Sequence, residues 1–127
     1  MLKNLAIVAT GGALGAMVRY LLAVYLNQPK WELSWGTMIA NVAGSFLMGM
    51  LLAYDHQRAF SETMRMFLMV GFCGALTTFS SFAAETLLLT QEAKFLASIS
   101  TLGLHVVGSL LAVAAGYAIW GKWIAPV

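Results

Sequence analysis

The chain has 127 residues, of which 61% are hydrophobic and only 9% charged, with a formal net charge of +2. A soluble domain carries about 25% charged residues, so this composition and a mean hydropathy of +0.83 exclude a disordered chain and a secreted disulfide scaffold. No Lys/Arg cluster is present to neutralise phosphates, which excludes a nucleic-acid binder, and one cysteine, Cys73, allows neither an intrachain disulfide nor a cysteine-based zinc site.

What remains is a small integral membrane protein. Charges and turn residues leave four apolar stretches, roughly 4–26, 35–54, 64–89 and 95–120. Each is long enough to cross a hydrocarbon core of about 30 Å at about 1.5 Å per residue. They are read as helices, because an open backbone in lipid leaves unpaired N–H and C=O groups, and the alternation of a barrel strand is absent. The whole chain, 1–127, forms a single four-helix membrane domain.

The first stretch is read as a retained span. It is long, carries Arg19 well inside, and is followed by no Ala-x-Ala cleavage pattern. Its Gly11 and Gly15 are four apart and share a face on which two helix backbones can approach closely. Arg19 lies about 12 Å below the helix end at Asn27. It either snorkels to the interface or faces an aqueous vestibule, where a fixed positive charge attracts anions. Asn27, Gln28 and Pro29 are turn residues that end the helix. Trp31 and Trp35 flank this break, and Trp120 and Trp123 end the last span, as interfacial belt residues do.

The second stretch places Thr37, Asn41 and Gly44 on one face. A buried Asn needs partners for two donors and an acceptor. An interhelical hydrogen bond and a role lining an ion path are both open at this point.

The third stretch holds the densest polar block, from Gly71 to Glu85. Gly74, Thr77 and Thr78 are poor helix formers, and hydroxyls can bond back to carbonyls one turn earlier. These residues predict a break near 74–78, which survives in a membrane only when buried in protein or lining a cavity. Freed carbonyls there suit a cation, and the new helix N-terminus suits an anion. Phe79 and Phe82 follow, set among hydroxyls that include Ser80. Their ring edges are positive and can face an anion without a full charge. Glu85 is the only acid well inside a span.

In the fourth stretch His105 and Ser109 face the same way. The histidine reads as a satisfied polar contact, since no further ligands stand at a metal-site spacing. Cys73 reads as a small buried hydrophobe.

With four spans, Lys3, Arg58, Arg65 and Lys122 lie on one side and Lys30 and Lys94 on the other, with Arg19 nearer the latter. That is a weak positive-inside bias, compatible with insertion in both orientations. Four helices hardly enclose a solvated path alone, so a transporter of this size is expected to be a symmetric dimer.

These residues, over essentially the whole length, resemble the CrcB/Fluc fluoride channels. The resemblance rests on Gly11–Tyr20, on Gly36-Thr37, Asn41, Gly44-Ser45-Phe46 and Gly49, on the Gly71–Glu85 block, and on Gly108-Ser109. It implies an all-α integral membrane fold with four transmembrane helices per subunit and a broken third helix. It further implies an antiparallel, dual-topology homodimer with two narrow pores that passively export fluoride across a bacterial inner membrane. A structural sodium ion on the dimer axis would be held by backbone carbonyls of Gly74 and Thr77. Phe79 and Phe82 would form an aromatic box, with Asn41 donating to fluoride beside it. Thr37, Ser80 and Ser109 match the polar track, Arg19 the family arginine, and Glu85 a residue at the pore end. Ala75 stands where some relatives carry glycine, and its methyl group need not block carbonyl coordination.

Two other classes compete with this one. A small proton-coupled multidrug exporter is built round a glutamate in its first span, whereas the first span here has Arg19 and no acid. A non-transporting assembly subunit explains the glycines but not the hydroxyls around Phe79 and Phe82.

Overall fold

The computed structural model describes residues 1–124, with side chains through Lys122; the side chain of Trp123 lies outside the described residues. Four helical passages are long and apolar enough to cross a membrane: Leu2–Leu26, Trp35–Arg58, Glu62–Gln91 and Phe95–Lys122. The second runs past the expected end at 54 to Arg58. Hydropathy marks where lipid gives way to water, and a helix does not stop there while its carbonyls keep partners. Asp55 O accepts from the Ala59 N–H at 2.9 Å. The Asp55 carboxylate then takes the Phe60 N–H at 2.8 Å and Arg65 Nη2 at 3.0 Å, which ties the second passage to the start of the third. Ala59 and Ala93 take the left-handed backbone region, with φ of 54° and 59°, at the turns after the second and third passages. Beside the latter, Lys94 pairs with Glu92 at 2.8 Å. That hydrogen bond, helped by the carboxylate charge, raises the Lys94 pKa above its ordinary value.

The third passage is not one continuous α-helix. Ser61 caps its start by accepting the Met64 N–H. Arg65–Cys73 then winds in wider π-type turns, and Gly74–Leu76 is α-helical. Thr77 and Thr78 are extended, with φ,ψ of −85°,151° and −149°,119°. The helix restarts at Phe79 and runs to Gln91.

Large apolar side chains point outward, among them Leu2, Tyr25, Leu96, Ile99 and Leu111. The buried positions are mostly small or polar: Ala40, Ala53, Cys73 and Ala97 beside Thr37, Asn41, Ser98, Thr101 and His105. Lipid tails are as apolar as leucine, so helices here join through close backbone approach and hydrogen bonds rather than by hiding large side chains. Only Gly11 and Gly15 are buried on the first helix. A Cβ on either would run into the Phe67 or Phe72 carbonyl of the third passage. Likewise a Cβ on Gly49 would strike the Val113 carbonyl, and one on Gly116 the Phe46 carbonyl. These contacts lock the second passage to the fourth. At one end Tyr54 stacks on Phe60, centroids 4.4 Å apart, and meets Trp120 edge-on at 5.3 Å.

The seam between the second and fourth passages should therefore be intolerant of bulk. Gly116→Val is expected to lower the thermal unfolding midpoint in detergent, by a cost of about 1–3 kcal/mol typical of overpacking. Gly103→Ala meets nothing within 4 Å and should leave the midpoint unchanged or raise it, since alanine is the better helix former. Circular dichroism melts of the two variants check both.

Candidate functional site

The break at Thr77–Thr78 leaves backbone groups that neither helical half can satisfy. Neighbouring passages meet that need. From the second passage, Asn41 Oδ1 accepts the Thr78 N–H at 2.7 Å while Asn41 Nδ2 donates to the Thr78 carbonyl at 3.0 Å. One side-chain amide thus pairs with both sides of an extended residue, as a neighbouring strand would. A backbone N–H can only donate, so the amide orientation is fixed. Its remaining N–H donates to His105 Nδ1 at 2.8 Å, which puts the neutral ring's proton on Nε2. From the first helix, Arg19 Nε donates to the Ala75 carbonyl at 3.0 Å, a cation at the negative end of a helical segment. Within the third passage, Thr77 Oγ1 donates back to the Cys73 carbonyl at 3.0 Å. Thr78 Oγ1 accepts the Ser81 N–H at 3.2 Å and caps the restarted helix.

Two of the cavities beside this break meet at Thr78. One, of about 360 Å³, is bordered by Asn41, Thr77, Thr78, Phe79, Phe82, His105 and Ser109 among others. Phe82 is 5% exposed and Phe79 75% exposed. The two rings meet edge to face at 4.7 Å, and Phe82 lies nearly parallel to the His105 ring at 4.8 Å. The buried ring is thus held between His105 and Phe79, while the outer ring is largely exposed. The second cavity, of about 340 Å³, is lined by Arg19, Asn27, Thr37, Thr78, Ser81 and Glu85, with Ala16, Tyr20 and Ala23. Thr78 borders both. In the second cavity the Thr37 hydroxyl donates to Glu85 Oε1 at 2.7 Å and receives Asn27 Nδ2 at 3.3 Å. Arg19 and Glu85 share this cavity, and among the described residues no ion pair joins them.

Of the residues singled out in the sequence, Asn41, Phe79, Phe82 and Ser109 gather on the first cavity, and Arg19, Thr37 and Glu85 on the second. Ser80 is exposed at the helix start, 3.3 Å from Thr78 Oγ1. Gly74, exposed, and Thr77, half-buried, stand at the end of the upstream half. Thr78, Ser81, His105 and Asn27 also belong to the site, although the sequence does not single them out as site residues. Thr78 is the junction of the two cavities, and its capping role is legible only as a threonine just before the restarted helix. In the sequence His105 reads only as a polar contact, and its partnership with Asn41 and Phe82 depends on how the helices cross. In the sequence Asn27 reads only as a helix-ending turn residue.

The family profile described as "CrcB-like protein, Camphor Resistance (CrcB)" matches residues 6–117. Among curated proteins, the "Fluoride-specific ion channel FluC" of Pseudomonas syringae pv. maculicola is 43% identical over 117 residues, covering 91% of this chain and 92% of the relative. The protein of the same description from Histophilus somni (strain 2336) is 40% identical, with 94% and 95% covered. That from Acinetobacter baumannii (strain ACICU) is 37% identical, with 93% of each covered.

The clasp of Asn41 on Thr78 makes a residue-specific expectation. Asn41→Ala leaves the Thr78 N–H and C=O unpaired, each at a cost of about 1–3 kcal/mol, and should speed hydrogen exchange at the Thr78 amide. Asn41→Asp keeps the acceptor and loses both donors, so the Thr78 amide should stay protected while the folded state weakens. Amide exchange followed by mass spectrometry checks the pair.

Proposed function

The chain belongs to the CrcB-like family, and on that premise we propose that it is a fluoride-selective channel that lets the ion leave the cell passively. It performs no chemistry on its substrate. The observation that carries this reading is the pair of cavities meeting at Thr78, one edged by phenylalanines and the other by hydroxyls. Fluoride is small and holds its water tightly. A selective path must replace that water with donors, yet bind weakly enough to release the ion. Hydroxyls of Ser80, Ser81 and Ser109 and the ring edges of Phe79 and Phe82 are donors of that moderate kind, while Thr37, whose hydroxyl proton points to Glu85, lines the second cavity. Both N–H groups of Asn41 are engaged, so an ion that accepts from Asn41 takes the place of the Thr78 carbonyl or of His105. Arg19, in the second cavity, supplies the fixed positive charge that draws an anion in, and Glu85 marks that end of the path.

In this reading the working unit is an antiparallel, dual-topology homodimer with two pores, in a bacterial inner membrane, conferring fluoride resistance. Phe79 is 75% exposed on the single subunit, so its face is available to a second copy. The Gly74 and Thr77 carbonyls would hold a structural sodium ion at the dimer centre. They lie where a helical segment ends, at the negative pole of its peptide dipoles, and carbonyl oxygens suit a hard cation. Two carbonyls do not complete a shell, and a two-fold axis brings the same two again. When bound, the cation adds positive potential beside the anion path.

Purified protein reconstituted in liposomes, with fluoride and chloride efflux followed in parallel by ion-selective electrodes, tests the proposal. Fluoride release without chloride release is expected, and Phe82→Ile should slow it by about tenfold or more. Well-folded dimers that release no fluoride, or release both ions alike, would sink it.

A further inference from the structure

We infer that Asn27 is a positioning residue for the anion path, acting through Thr37; the inference rests on the channel reading above. Asn27 ends the first helix, its backbone N–H bonded to the Ala23 carbonyl at 2.9 Å. Its side chain reaches the start of the next one. The second helix begins after Ser34, whose side chain makes no capping hydrogen bond. Asn27 Oδ1 instead accepts the Gly36 N–H at 2.7 Å, the second N–H of that helix and one that a capping side chain normally serves. Asn27 is therefore a cap supplied from the neighbouring helix.

The same contact has a directional effect. The Gly36 N–H can only donate, so Oδ1 must face it and Nδ2 must turn to Thr37 Oγ1, 3.3 Å away. A threonine hydroxyl has one proton. With Asn27 donating into its oxygen, that proton goes to Glu85 Oε1 at 2.7 Å. Asn27, Thr37 and Glu85 form a one-way relay along the wall of the 340 Å³ cavity that also holds Arg19. Thr37 is 5% exposed, and Asn27 and Glu85 are the side chains that hold its hydroxyl. Asn27 thereby decides where the donor of Thr37 points at this end of the path.

A double-mutant cycle separates this role from capping alone. Fluoride efflux and thermal midpoints are measured for the wild type, Asn27→Ala, Thr37→Val and the double variant, all checked as monodisperse by size exclusion. Each single variant is expected to slow efflux by about tenfold, the scale of one lost hydrogen bond with its orphaned partner. The double variant should be no slower than Thr37→Val within twofold, because no hydroxyl remains to orient. The thermal midpoint should fall with Asn27→Ala in both backgrounds, through the lost cap. If Asn27→Ala slows efflux by the same factor with and without the Thr37 hydroxyl, or conducts at the wild-type rate, the relay is overturned. Should Asn27→Ala fail to fold, Asn27→Ser, with a shorter arm, goes through the same cycle. A wild type that passes no fluoride in these liposomes would overturn the channel reading and the relay with it. Wild-type efflux with uncoupled variants overturns the relay alone.

Discussion

An extended backbone inside a membrane passage must have its polar groups paired by the protein, and the architecture here is organised around that requirement at Thr77–Thr78. The clasp from Asn41 meets it most directly, standing in for a missing strand on both sides of Thr78. Such a clasp needs the second passage to lie against the break. The glycine seams allow this: Gly44 is buried where a Cβ would meet Thr77. Arg19 completes the arrangement from the first helix by taking the Ala75 carbonyl. The first and second passages thus converge on the third between Ala75 and Thr78, and the polar side chains that hold the backbone open also furnish the walls of the two cavities. Support of the break and construction of the site are one arrangement.

The interior is correspondingly unlike that of a soluble bundle. Many of its side-chain hydrogen bonds run between passages, while many bulky apolar side chains lie on the outer surface of the subunit. Leu76, Phe82 and Leu89 are the large buried exceptions, and Phe82 lies where it contributes a ring edge and a stacked face as well as bulk. Cys73, 1% exposed, fits the reading of a small buried hydrophobe.

Much of this was legible in the sequence because the relevant signals are local. The passages follow from the length of apolar runs, and their observed ends differ where helix continues into water, as at Asp55–Arg58. The shared face of Thr37, Asn41 and Gly44 follows from helical spacing, and all three are buried. The close approach through Gly11 and Gly15 follows likewise. What was not legible depends on how helices cross. No spacing along the chain says that Asn41 meets Thr78 and His105, or that Asn27 reaches over its own turn to Gly36. The π-type turns of Arg65–Cys73 add to this, since they rotate the following residues away from the register that an α-helical count assigns. Sequence reasoning located the polar groups, while the crossings decided their partners.

The division between lipid-facing surface and glycine seams has a consequence for how information is spread along the chain. An outward position such as Leu96 or Ile99 specifies little more than an oily side chain, and many residues satisfy it equally. A seam position such as Gly49 or Gly116 admits one side chain, because the neighbouring carbonyl occupies the space of any other. The clasp position, Asn41, is as narrow, since few side chains offer an acceptor and two donors at that reach. The fold is therefore encoded mainly by its smallest and most polar residues, and the majority of apolar letters serve as interchangeable solvent-matching filler.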